Sequence, residues 1–116
     1  AHVYLIGGAY AAENGETVGP MAIEQIAQFH ADHAVIGAAA VDAAGGAMDA
    51  DFDEAAVARA MCANARNIIV VAHAAKIGRG AAHRICRLDE VDVLVCDETP
   101  GDAFRAALSV AGVALR

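Results

Sequence analysis

The side chains of this sequence that could hold or transform a ligand stand just beyond its apolar runs. Gly7 and Gly8 follow Val3-Tyr4-Leu5-Ile6. Gly37 and Ala38 close the run that begins at His33. His73 and Lys76 follow Ile68-Ile69-Val70-Val71-Ala72, and Asp97 and Glu98 follow Val91 to Cys96. If each run is a strand of a parallel sheet, these residues sit at C-terminal strand ends, outside which open α/β sheets bind ligands. Glycine lets backbone N–H groups approach an anion closely, and lysine adds a point charge suited to phosphate. The competing reading makes Gly7-Gly8 a plain turn and Lys76 a solvated loop lysine.

Other constellations carry less. His30 and His33 form H-x-x-H, with Cys62, Cys86 and Cys96 elsewhere. Zinc needs three or four convergent ligands, and a helix end followed by a strand does not promise convergence. The histidines therefore read as a polar helix end and the cysteines as small buried hydrophobes; neither a metal nor a cofactor is expected. Asp53 and Glu54 open a helix, where carboxylates complement the helix dipole by about 0.3–1 kcal/mol. The functional alternative turns one of them toward a sugar or a proton in transit. Gly7-Gly8-Ala9 does not continue as G-x-G-x-x-G, and neither G-x-x-x-x-G-K-[ST] nor G-x-S-x-G occurs. Dinucleotide binding and hydrolysis by a serine elbow are thereby disfavoured.

The elements that must position these residues follow from periodicity and punctuation. Residues 3–6 read as a short strand and 9–17 as a polar loop. Pro20 opens a helix that runs from Met21 to His30 with Ile23, Ile26 and Ala27 on one face. The run from His33 to Ala40 is apolar enough for a strand buried on both faces. A turn at 42–46 precedes a helix from Asp51 to Arg66. Strands follow at 67–72, within 81–87, and at 91–96. A last helix spans 100–111, Gly112 caps it, and 113–115 form a terminal strand. Alternating strands and helices predict an α/β fold, a mainly parallel central sheet flanked by helices, built from residues near 3–6, 34–39, 68–72 and 92–96.

Composition bounds the class. A chain of 116 residues is one domain. With 58% hydrophobic and 20% charged residues it is too apolar for disorder, yet no run approaches the roughly 20 apolar residues of a membrane span. Eight basic against fifteen acidic residues leave a net charge of −7, a surface that repels a phosphate backbone. Three scattered cysteines fit reduced thiols in a cytosol. Aromatics are only 4%, so the core must be built from small and branched side chains that let backbones approach.

The order of short motifs resembles one family. Leu5-Ile6-Gly7-Gly8 leads to Val18-Gly19-Pro20, then to Ala31-Asp32-His33-Ala34-Val35-Ile36-Gly37-Ala38. Gly45-Gly46 and Glu54 with Arg59-Ala60-Met61 follow, then Ile69 to Gly78 and Val91 to Asp97. This series is similar to the C-terminal effector-sensing domain of DeoR-type transcriptional regulators of sugar metabolism. The resemblance implies a fold like that of ribose-5-phosphate isomerase and the CoA transferases. Together with the strand-end positions it gives a ligand set of Gly7, Gly8, Gly37, Ala38, Glu54, His73 and Lys76, in which the resemblance matches Lys76 to the ligand-contacting lysine after the central strand and Gly37 and Ala38 to the loop after the aspartate-bearing strand. Glu54 resembles the catalytic base of the isomerase relatives. His73 stands where the family usually has aspartate, and Ala75 where it has serine. His73 keeps the ability to hydrogen-bond a hydroxyl, with a charge that varies near neutral pH.

The partners implied are a phosphorylated sugar effector, operator DNA through a winged helix-turn-helix outside this chain, and further copies in a homo-oligomer. A cytoplasmic location, away from membranes, goes with them. Residues 1–116 would be part of the sensing domain, since the family's D-x-G-T-T phosphate loop does not occur here. A non-catalytic sensor is the leading expectation. One alternative is an aldose–ketose phosphate isomerase, with Glu54 moving the proton. Gly37-Ala38-Ala39-Ala40 lacks the two acids of those enzymes' D-G-A-D loop, which weighs against it. The other alternative is a fragment that serves oligomerisation alone.

Overall fold

The most β-branched run of the chain forms its central strand, as the preference of such residues for a pleated surface requires. In the computed structural model, which describes residues 2–116, this strand is Ala65–Ala72. Before it come β1 (Ala9–Ala11), β2 (Glu16–Val18), α1 (Pro20–Ile26), β3 (Ala31–Gly37), β4 (Ala40–Asp42), β5 (Gly46–Asp49) and α2 (Phe52–Ala63). The central strand is thus β6. After it come β7 (His83–Cys86), β8 (Val93–Cys96), α3 (Asp102–Ala111) and β9 (Ala114–Leu115). A four-stranded parallel sheet runs in the order β3-β6-β8-β9, and β4-β5-β7 form a separate antiparallel sheet. The fold is α/β, as expected.

Local chemistry explains the boundaries. The Asp51 side chain caps α2 by accepting the Glu54 amide at 2.8 Å, and Asp53 and Glu54 occupy its first turn. The helix does not reach Arg66. Asn64 closes it, its side chain donating to the Ala60 carbonyl at 2.8 Å. Its own carbonyl accepts from Ala31 at 2.9 Å, and Ala65 is already in register with Ala31. Pairing with β3 claims the residues that helical periodicity would have continued. Likewise α1 stops at Ile26, short of His30. The polar loop expected at 9–17 is a β1–β2 hairpin, and the turn at 42–46 is flanked by the β4–β5 hairpin. At Gly46, φ is +74° and a Cβ would lie 2.1 Å from the Cys86 carbonyl oxygen, so only glycine lets β5 cross β7 there. The last helix ends at Gly112, as expected.

Two further expectations fail. Residues 3–6 are not a strand of the sheet; the sheet takes β9 as its fourth strand instead. The arm carries apolar side chains but meets no adjacent backbone. Its polar atoms are satisfied by side chains, Thr17 Oγ1 donating to the Ile6 carbonyl at 2.8 Å and the Gly7 amide donating to Gln25 Oε1 at 2.9 Å. Val3 and Leu5 stay 83% and 91% exposed. Nor is β3 buried on both faces. Ala34 and Ile36 point into the core with Ile68, Val70 and Leu94, where Ala55 of α2 and Leu108 of α3 join them, while Val35 and Val71 on the opposite face are exposed. An apolar run shows that a strand can be covered on both sides; it does not supply the second cover. Among the described residues no helix is long and apolar enough to cross a membrane.

Candidate functional site

Three neighbouring parallel strands end together, and His73, Asp97 and Lys76 follow their ends. Gly37 pairs with Val71, and Val71 with Val95, so Gly37, His73 and Asp97 emerge along one edge. Asp97 organises it. Its Oδ1 accepts the Ala74 amide at 2.7 Å, and its Oδ2 lies 3.2 Å from His73 Nδ1. The Ala74 amide, and after it His73, hold the Asp97 carboxyl below its ordinary range, because both favour the charged form. An ionised Asp97 fixes the histidine with Nδ1–H donating, which leaves Nε2 facing outward. Residues 74–76 form a single 3-10 turn, anchored where the Gly78 amide donates to the Val41 carbonyl at 2.7 Å. Lys76 closes that turn half-buried, and it joins no ion pair among the described residues. Gly37 is exposed, with open space where a Cβ would stand. Ala38 follows it into the Ala39 amide's bond to the Met48 carbonyl at 3.0 Å.

Glu54 belongs to a different cluster. Its Oε1 accepts a short hydrogen bond from the Asn14 side chain, in the turn between β1 and β2, and its carboxyl faces Glu16. The hydrogen bond between the two carboxyls, with some burial and the charges of Asp49 and Asp51, pushes Glu16 up to about 7. The neighbouring carboxylates disfavour an ionised Glu16, which therefore holds its proton toward neutral pH. Among the described residues no hydrogen bond or ion pair joins Glu54 to His73 or Lys76.

Gly7 and Gly8 have structural work. The Gly7 amide is taken by Gln25. At Gly8, φ is +154° and a Cβ would lie 2.8 Å from the Val18 carbonyl oxygen and 3.0 Å from the Ala22 Cβ, so its bare backbone lets α1 sit against the hairpin. His30 follows α1 and His33 lies in β3, while Cys62 and Cys86 face each other between α2 and β7. Among the described residues no three metal-binding side chains converge. A concavity of about 790 Å³ lies elsewhere, around the start of β3 between His2, Tyr4, Phe29, His33 and Met61. It is mainly apolar and includes none of the expected ligand residues. The strand-end edge is the better candidate for a polar ligand, because a histidine held by Asp97 and a lysine outside the ion pairs of the described residues are there.

Residues 1–98 match the family described as DeoR C terminal sensor domain. The chain belongs to this family. The sensor domain is also similar to curated repressors: it is 36% identical over 106 residues to the HTH-type transcriptional repressor CsqR of Escherichia coli, covering 91% of this chain and 41% of that protein. It is 31% identical over 113 residues to the HTH-type transcriptional repressor GlcR of Bacillus subtilis, covering 97% and 43%. With the glycerol-3-phosphate regulon repressor of E. coli it shares 28% identity over 98 residues, covering 84% and 39%. The sensor domain thus spans about two-fifths of the length of the curated relatives it matches, and these relatives are transcriptional regulators. Within it, Asp97 was visible in the sequence only as a charge at a strand end; its grip on His73 and Ala74 needed the β6–β8 pairing. Glu16 carried no signal at all, since its partner lies 38 residues away across the hairpin.

Proposed function

We propose that this sensor domain binds a phosphorylated sugar or a closely related metabolite at the strand-end edge. Binding there governs the operator affinity of a winged helix-turn-helix carried by the same regulator. The observation that carries this reading is the edge itself: an open Gly37, a histidine oriented by Asp97, and Lys76 without an internal counter-ion. Lys76 meets the phosphate as a point charge. Gly37 and Ala38 offer close backbone approach, and His73 Nε2 meets a sugar hydroxyl. Glu54, at the start of α2, accepts from a second hydroxyl. Gly7 and Gly8 take a supporting share, holding the arm and hairpin against α1. The domain binds without turnover, in a cytoplasmic homo-oligomer, and the effector acts by preferring one DNA-binding state over another.

Calorimetric titration of a sugar-phosphate panel tests this, using the full regulator and its Lys76→Ala variant. A charge-assisted hydrogen bond contributes about 1.5–3 kcal/mol, so the variant should bind the best ligand roughly ten- to a hundredfold more weakly. Equal affinity of both proteins would return Lys76 to a solvated loop role.

A further inference from the structure

The relation between α2 and β7 brings two thiols together that the effector site does not use. β5 and β7 are antiparallel, and α2 turns back directly after β5, so α2 runs in the same direction as β7. Two contacts in step confirm that alignment. Arg59 Nη1 donates to the Arg84 carbonyl at 2.8 Å, and three residues on in the helix, two on in the strand, Cys62 faces Cys86 across the same core cluster. Cys86 is buried, 5% exposed, and Cys62 is partly buried against the same core cluster.

We infer that Cys62 and Cys86 form a reversible redox pair, closing a disulfide between α2 and β7 when the protein meets a low-molecular-weight disulfide such as oxidised glutathione. Cys62 is the attacking thiol because Cys86 is shut away in the core. The Cys62 thiolate attacks one sulfur of oxidised glutathione and expels the other as a thiolate, giving a mixed disulfide. Cys86 then loses its proton and attacks Cys62 Sγ, and the second glutathione leaves. The protein gives up two electrons and two thiol protons, and one oxidised glutathione becomes two reduced ones. The neighbouring Cys86 lowers the Cys62 thiol below its ordinary value, which suits Cys62 to the attacking role; Cys86 is raised first by that same contact with Cys62, which ends once Cys62 carries glutathione. Cys96 has no such partner: the neighbour acting on it is the Asp97 charge, which, after burial, raises its thiol.

The test equilibrates the purified protein in glutathione buffers of increasing oxidised fraction, quenches it with N-ethylmaleimide and maps it by non-reducing tryptic mass spectrometry. Cleavage at Arg59, Arg66, Arg84 and Arg87 places Cys62 in peptide 60–66 and Cys86 in peptide 85–87, apart from Cys96. The expected product is those two peptides linked and two hydrogens lighter, with loss of maleimide from both and full recovery of both after reduction. Cys86→Ser should leave Cys62 held as its glutathione mixed disulfide, and Cys62→Ser should leave Cys86 alkylated only after unfolding. Maleimide on both cysteines at every buffer ratio, a Cys62 mixed disulfide that persists in the unaltered protein, or a link to Cys96 would each overturn the inference.

Discussion

Glu16→Gln isolates the proton that Glu16 holds between the β1–β2 hairpin and α2. In the folded protein the Glu16 carboxyl is pushed up to about 7 from an ordinary 4.5, first by its hydrogen bond to Glu54. The folded state therefore holds a proton that the unfolded chain releases across that window. For a raised acid the stabilisation is present below about 4.5 and is lost as pH rises through about 7. At about 1.4 kcal/mol per pH unit the whole window would be worth about 3.4 kcal/mol. Glu16 is exposed, so solvent screening reduces this to about 1 kcal/mol. Glutamine keeps the shape and a donor for Glu54 but cannot ionise. Urea melts at about pH 5 and about pH 8 should show the unaltered protein losing about 1 kcal/mol more than the variant over that interval. Glu24→Gln, an exposed change on α1, should follow the unaltered protein. Parallel pH profiles for Glu16→Gln and the unaltered protein would refute the raised Glu16.

Leu94→Ala should destabilise by about 3–5 kcal/mol, because Leu94 is 1% exposed between Val70 and Leu115 in the centre of the sheet; a loss under about 1 kcal/mol in denaturant melts would contradict its central place. Gly46→Ala should cost more than the about 1–2 kcal/mol of the left-handed backbone alone, since the added methyl overlaps the Cys86 carbonyl, and a soluble variant with an unchanged melting temperature would disprove that crossing. In fluorescence anisotropy at low salt, this chain alone should show no binding to duplex DNA at micromolar concentration, given its net charge of −7; salt-dependent binding would refute this.

The strands at 68–72 and 92–96 were legible because each is short, apolar and β-branched, and the helix start at Asp51 because its cap and first-turn acids lie within four residues. Lys76 and His73 were legible as site candidates for a similar reason: the loop that carries them is contiguous with its strand. Failures came where an apolar pattern has two physical outcomes. Val3-Tyr4-Leu5-Ile6 has strand chemistry but no neighbouring backbone in this structure, and helical periodicity through Arg66 lost to pairing between Ala31 and Ala65.

The amino-acid sequence by itself determined the local choices: the α/β alternation, the caps at Asp51 and Gly112, the polar residues beyond each strand, and the acidic surface. These depend on neighbours within about four residues, where propensity and hydrogen-bond geometry act. Tertiary structure alone decided which strands became neighbours, and so decided that Asp97 grips His73, that Glu16 faces Glu54, and that Cys62 meets Cys86. Each of those pairs is separated by more than twenty residues, and the energy that joins them comes from burying Ile36, Val70, Leu94 and Leu108 in one core. No spacing in the sequence encodes that contact before the sheet order β3-β6-β8-β9 exists.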